Sequence, residues 1–142
     1  MKNVKWFLPA LIFFAVEEII KFLVFIHPAA GFNNSFFAFG VLKNQNLFFQ
    51  IFAFLLILIC YFSTIKTPQG KQKLTYLNIA FAGVLSNFID RFAFGGVIDY
   101  FKLDLFDFQI IFNLSDLMIL TGVFLYAYSF FSHFQYGSNS AR

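Results

Sequence analysis

Apolar residues fall into four long runs, separated by shorter stretches rich in polar groups, glycine and proline. A helix that crosses a bilayer needs roughly 20 predominantly apolar residues. Runs of that kind cover residues 4–26, 47–65, 74–92 and 110–131. The pattern predicts an all-α membrane protein of four transmembrane helices, with residues 1–142 forming one integral membrane domain. The first run follows Lys2 and Lys5, as the core of a signal peptide would. After Ala15 and Val16, however, the chain continues with Glu17 and Glu18 instead of a small-x-small cleavage site, so the run reads as an uncleaved span.

Basic residues give the spans a direction. Lys2 and Lys5 precede the first span, Lys66, Lys71 and Lys73 sit between the second and third, and Arg142 ends the chain. The opposite connections hold only Lys43 and Lys102, with Arg91 at the edge of the third span. By the positive-inside rule both termini and the middle connection are cytoplasmic, and residues 27–46 and 93–109 face outward. Pro68-Gln69-Gly70 predicts a tight polar turn at the inner connection, and the tail 132–142 reads as cytoplasmic.

Composition sharpens this picture. Of the 142 residues 12% are charged, 60% hydrophobic and 23% aromatic, with 26 Phe; a soluble domain carries roughly 25% charged residues. The net charge of +3 comes from ten scattered Lys and Arg, which excludes a nucleic-acid module, a disordered chain and a collagen-like repeat. Cys60 is the lone cysteine, so no disulfide framework is available. His27 and His133 lie at opposite ends of the expected topology, and no metal or organic cofactor is expected. A monomer is the default expectation.

Five of the seven acids, Asp90, Asp99, Asp104, Asp107 and Asp116, lie between the outer end of the third span and the head of the fourth. An acid at mid-membrane depth costs about 2.5–3.5 kcal/mol on insertion scales, so each is expected to face a partner or a water-filled cavity. In the third span Asn87 and Asp90 are i,i+3 and Asn87 and Arg91 are i,i+4, which puts all three on one side of a helix. Arg91 is placed to pair with Asp90. Ala82 with Ser86, and Ala80 with Gly83, give the same helix small residues for close approach to a neighbour. In the fourth span Asn113 and Asp116 share a face, and Gly95-Gly96 allows Asp99 to fold back over the helix ends. Two carboxylates held close share a proton and can together activate a water. Asp99 and Asp116 are the natural pair, with Asn87 and Asn113 to orient them. The same cluster also reads as an interhelical hydrogen-bond clamp without catalysis, and the residues alone leave both readings open. In the first span Glu17, Glu18 and Lys21 form i,i+4 and i,i+3 pairs, which read as local neutralisation with Lys21 snorkelling to the outer headgroups.

These residues resemble a known family. Asn87-Phe88-Ile89-Asp90-Arg91, then Gly95, Val97, Asp99 and Tyr100, and then Phe112-Asn113-Leu114-Ser115-Asp116, are similar to the N-x-x-D-R-x-x-x-G-x-V-x-D-F and F-N-x-A-D blocks of bacterial lipoprotein signal peptidases. Glu17-Glu18-Ile19-Ile20-Lys21 is similar to that family's D-Q-x-x-K. Residues 34–40 are similar to its N-x-G-x-A-F-G outer segment. The resemblance implies an aspartic endopeptidase of the cytoplasmic membrane that cleaves diacylglyceryl-modified prolipoproteins just before the lipidated cysteine. It implies four helices and a small extracytoplasmic, β-like segment between the first two. It places the catalytic pair on Asp99 and Asp116, with Asn34, Asn87, Asp90, Arg91, Asn113, Glu17 and Lys21 supporting the site or the substrate. The expected partners are the prolipoprotein and membrane lipids, with no nucleic acid. This sequence departs from the pattern at Glu17 for Asp, Glu18 for Gln, Phe36 for Gly, Ser86 for Gly, Tyr100 for Phe and Ser115 for Ala. Two rivals remain: a four-span proton-coupled exporter using Glu17 or Glu18, and an inactive homologue that serves as a scaffold.

Overall fold

The computed structural model describes residues 4–27, 32–34, 36–37, 42–43, 46–65, 70–106 and 108–139, and side chains at 5–27, 51–65, 73–104, 106 and 109–129. A short 3-10 turn, Val4–Trp6, leads into α1 (Leu8–Ile26), whose second residue is proline, suited to a first turn in which the N–H has no helical partner. Next come β1 (Phe32–Asn34), β2 (Phe36–Phe37) and β3 (Leu42–Lys43), then α2 (Asn46–Ile65) and α3 (Gly70–Phe94). The turn expected at Pro68-Gln69 lies outside the described residues, and Gly70 already opens α3. Three strands follow, β4 (Val97–Asp99), β5 (Phe101–Leu105) and β6 (Phe108–Phe112), before α4 (Leu114–Asn139).

Four helices are therefore present, joined by more strand than the apolar pattern suggests. A β-like segment was expected only between the first two helices. The strands there are β1, which pairs antiparallel with β4 so that Phe32 faces Asp99 and Asn34 faces Val97, and β2, which pairs with β3. The connection from α3 to α4 adds a hairpin, β5 with β6. Residues 110–112, assigned to the fourth span on apolarity, are strand. The physical reason is a period of two: Phe101-Lys102-Leu103-Asp104-Leu105 alternates, and the register sets Phe101 against Phe112 and Leu103 against Ile110 on one face. The Phe101 and Phe112 rings lie 5.3 Å apart.

α3 is the hub, touching α1, α2 and α4. Its closest partner is α4, because small residues line the seam. A Cβ on Gly122 would lie 2.6 Å from the Tyr76 carbonyl oxygen and 2.7 Å from the Ala80 nitrogen, and one on Gly83 would lie 2.5 Å from the Ser115 carbonyl oxygen. The clashing atoms are backbone, so a side chain there separates the helices. Gly122→Ala is expected to destabilise the fold by about 1–3 kcal/mol through overpacking, read as a lower midpoint of thermal unfolding in detergent. An unchanged midpoint would mean that the α3–α4 seam tolerates a wider spacing.

The α3 helix ends where Gly95, at φ 73°, takes a left-handed conformation and its N–H bonds the Arg91 carbonyl at 3.0 Å. That cap turns the chain directly into β4 and so delivers Asp99 above the end of α3.

Among the described residues the usual distribution of polarity is inverted. Glu17, Lys21, Asn78, Ser86, Asn87, Asp90, Asp99, Asn113 and Ser115 are buried, while Phe13, Ile19, Phe22, Leu55, Ile59, Phe62, Leu120 and Phe124 are exposed. The described residues contain no helix long and apolar enough by itself to cross a membrane. Charge is the reason in α1, which carries Glu17, Glu18 and Lys21. α3 carries Asn78, Asn87, Asp90 and Arg91 along its length.

Candidate active site

The head of α4 is built by its own sequence. Asn113 precedes the helix and its side-chain oxygen accepts the Asp116 N–H at 3.0 Å, while the Asp116 carboxylate accepts the Asn113 N–H at 3.3 Å. This reciprocal capping satisfies two donors that the helix itself leaves without partners and fixes Asp116 in the first turn, where the helix dipole favours an anion.

From that cap a chain of amides reaches both aspartates. Asn113 Nδ2 donates to Asp99 Oδ1 at 2.8 Å, to Asn87 Oδ1 at 3.0 Å and to the Ile98 carbonyl at 3.3 Å. Asn87 Nδ2 in turn donates to Asp116 Oδ1 at 2.9 Å. Asp99 comes from β4, Asn87 from α3, and Asn113 and Asp116 from the start of α4. Three elements therefore converge on one pair of carboxylates, each held by an amide that donates to it.

Beneath this pair lies a buried charge cluster. Lys21, 2% exposed, points into the bundle, with its ammonium 2.7 Å from Asp90 and 3.5 Å from Glu17. It also donates to Ser86 Oγ at 2.9 Å and Asn87 Oδ1 at 3.1 Å. The snorkelling expected for Lys21 is thus corrected: a second acid on α3 and two polar side chains offer it an internal shell that the first span alone does not reveal. Asp90 likewise takes Lys21, together with the Ile98 N–H at 3.1 Å, as its partners. Arg91 Nη1, expected to pair with Asp90, donates to the Asn87 carbonyl at 3.2 Å.

Glu17, fully buried, accepts from the Ser115 N–H at 3.2 Å and the Ser115 hydroxyl at 2.9 Å on one oxygen, and from the Tyr100 hydroxyl on the other. The Tyr100 hydroxyl also accepts the Leu114 N–H at 3.1 Å. Burial, then the hydrogen bond to Glu17 and its negative charge, pushes the Tyr100 hydroxyl far above the ordinary phenol range, so it remains a donor. One oxygen of neighbouring Glu18 is buried without a hydrogen-bond partner among the described residues.

Asp99, Asp116, Asn87, Asn113, Asp90, Glu17 and Lys21 are therefore brought into one connected network, with Arg91 at its edge. The Asn34 backbone sits in β1 opposite Val97; its side chain lies outside the described residues. Asp104 is exposed and pairs with Lys102 at 3.3 Å, away from the network. Tyr100 and Ser115 enter the network without having been singled out for it. Their sequence signal is position, each flanking one of the two aspartates. Among the described residues no three His, Cys, Asp or Glu side chains are grouped to hold a metal ion.

Comparison with known proteins follows the same residues. A family model described as Signal peptidase (SPase) II matches residues 4–132. A lipoprotein signal peptidase of Streptococcus thermophilus is 34% identical over 112 residues, covering 78% of this chain and 72% of that protein. One from Streptococcus pyogenes is 30% identical over 154 residues, covering 97% of this chain and 100% of the relative. A bacterial membrane enzyme solved in meso at 2.3 Å superposes with a TM-score of 0.69 at 23% identity, covering 90% of this chain and 88% of the other.

Proposed function

The chain belongs to the signal peptidase II family, and on that premise we propose that Asp99 and Asp116 are its catalytic pair, working at the outer level of a bilayer. The family is that of the lipoprotein signal peptidases, aspartic enzymes that remove signal peptides from prolipoproteins, and this is the activity of this chain. The observation that carries the residue assignment is the amide chain from Asp99 through Asn113 and Asn87 to Asp116. It holds two carboxylates from different elements at one place.

In the reaction, one aspartate is ionised and the other carries the proton that the pair shares. The ionised carboxylate removes a proton from a water, which attacks the scissile carbonyl. The protonated one donates to the carbonyl oxygen as negative charge develops there. Collapse of the tetrahedral intermediate breaks the C–N bond, and the departing amine takes a proton from the pair. The products are a free signal peptide and a protein whose new amino terminus is the lipid-bearing cysteine. Asn87 and Asn113 keep both carboxylates in register throughout.

Membrane placement is supported by the inverted polarity of the bundle. Buried charges in α1 and α3 neutralise one another away from the lipid, so they do not bear the full cost of an exposed intramembrane charge. α2 has 20 residues without a charged group, so it adds no charge that would need shelter from lipid. With both termini cytoplasmic, β4 and the head of α4 lie at the outer surface. A substrate whose diacylglyceryl chains lie in the outer leaflet brings its scissile bond to that depth. Of the exporter reading's two candidate carriers, Glu17 is committed to Ser115, Tyr100 and Lys21, and the family match over residues 4–132 favours the peptidase reading instead.

Expression in cells depleted of their own type II signal peptidase tests the reading. Prolipoprotein is expected to shift to the mature mobility on a gel, while a precursor whose cysteine is not lipidated stays uncleaved. An uncleaved lipidated precursor, with the protein correctly inserted, would overturn it.

A further inference from the structure

Three of the positions at which this sequence departs from the family pattern, Glu17, Tyr100 and Ser115, are far apart in the chain yet meet in space. The Tyr100 hydroxyl donates to one Glu17 oxygen, and the Ser115 N–H and hydroxyl converge on the other at 3.2 and 2.9 Å. The same Tyr100 oxygen accepts the Leu114 N–H at 3.1 Å. The unit lies beside the catalytic pair in the chain: Tyr100 follows Asp99, and Ser115 precedes Asp116.

We propose that Glu17, Tyr100 and Ser115 form one positioning unit for the aspartate pair, joined through the Glu17 carboxylate. The longer Glu17 side chain projects from α1 far enough to meet the first turn of α4 and the residue after β4 at once. Tyr100 supplies the hydroxyl that faces its second oxygen and at the same time satisfies a helix-terminal N–H. Ser115 supplies a further donor to its first oxygen. The unit thus ties α1, β4 and α4 together at the level where Asp99 and Asp116 must face each other. The three residues are positioning residues, and the proposal rests on the assignment of Asp99 and Asp116 as the catalytic pair.

Physical chemistry predicts coupling within the unit. Removing one member leaves the groups that faced it buried without their partner, so a second removal within the unit strands fewer new groups than the first. In a purified assay with a lipidated prolipoprotein, Tyr100→Phe is expected to lower kcat about tenfold with KM nearly unchanged, the effect of one displaced hydrogen-bonding group near the reacting centre. Glu17→Asp and Ser115→Ala are expected to lower kcat in the same way. The triple variant Glu17→Asp, Tyr100→Phe, Ser115→Ala is expected to lose less than the product of the three single losses, because the three changes act on one hydrogen-bonded group. Rates are taken per folded molecule, with the folded fraction read from thermal unfolding in detergent, so loss of fold does not mimic loss of kcat. Losses that multiply independently in the triple variant, a change confined to KM, or a Tyr100→Phe rate equal to wild type would each overturn the unit. If Asp99→Asn were inactive while Tyr100→Phe ran at the wild-type rate, the positioning unit would fall and the catalytic assignment would stand. A wild-type protein that leaves the lipidated precursor intact would overturn both.

Discussion

Asp99→Asn and Asp116→Asn are each expected to lower prolipoprotein processing by about 10³–10⁴-fold while leaving the protein folded and in the membrane. Asparagine keeps the shape of aspartate and an oxygen that can accept the bonds now made by Asn113 to Asp99 at 2.8 Å and by Asn87 to Asp116 at 2.9 Å. It cannot take a proton from water, nor carry one to a carbonyl. The double variant is expected to be no worse than either single one, since half a proton-sharing pair performs neither role. Asp104→Asn is the matched control: Asp104 is exposed and its ion pair with Lys102 is a surface one, worth little. Pulse-labelled precursor and mature forms resolved on a gel give the ratio. Wild-type processing by either Asp99→Asn or Asp116→Asn would remove that residue from the catalytic pair.

The site was more legible in the sequence than its foundation. Asn87 and Asp90 are one helical turn apart, and Asn113 and Asp116 carry the spacing of a helix cap, so local rules suffice to put these groups on shared faces. A polar group in so apolar a chain also stands out by its rarity. Lys21 was harder. Two acids within one turn of it, Glu17 and Glu18, offer a sufficient local explanation, and nothing in the first span points to Ser86, 65 residues away. Long-range ion pairs of this kind are decided by tertiary packing, which helical spacing does not encode.

The β5–β6 hairpin was missed for a different reason. A count of apolar residues cannot tell a helix from a strand, and Ile110-Ile111-Phe112 lies close enough to the apolar body of α4 to be counted with it across Asn113, Ser115 and Asp116. The alternation in Phe101–Leu105 was the available signal. It is short and ends at Phe106, whose φ of 52° is a turn conformation that few non-glycine residues adopt. Assigning those residues to strand shortens the distance the chain must cover between Asp99 and Asp116, because the hairpin returns to where it began. The Tyr100 N–H bonds the Phe112 carbonyl at 3.3 Å and closes that loop. The hairpin is therefore the local reason that two aspartates separated in sequence arrive together.

Lys21→Met is expected to cost about 3–5 kcal/mol, enough to prevent the protein from accumulating in its folded form. The substitution preserves most of the volume of the side chain and removes only the ammonium. What remains is Glu17, fully buried, and Asp90, 2% exposed, with their shared counter-charge gone. Two like charges enclosed together repel each other and draw in water, which works against the packing of α1 on α3. The same loss removes the donor to Asn87 Oδ1, the amide that holds Asp116, so any folded fraction is also expected to cleave slowly. A compensating variant separates charge from packing: Lys21→Met combined with Glu17→Gln and Asp90→Asn carries no stranded charge and is expected to regain much of the lost stability. Protease sensitivity in membranes and thermal unfolding in detergent read both variants. If Lys21→Met unfolds at the wild-type temperature, the buried ammonium is not what holds α1 against α3. If it unfolds early and the triple variant does not recover, shape rather than charge at Lys21 is what the bundle requires.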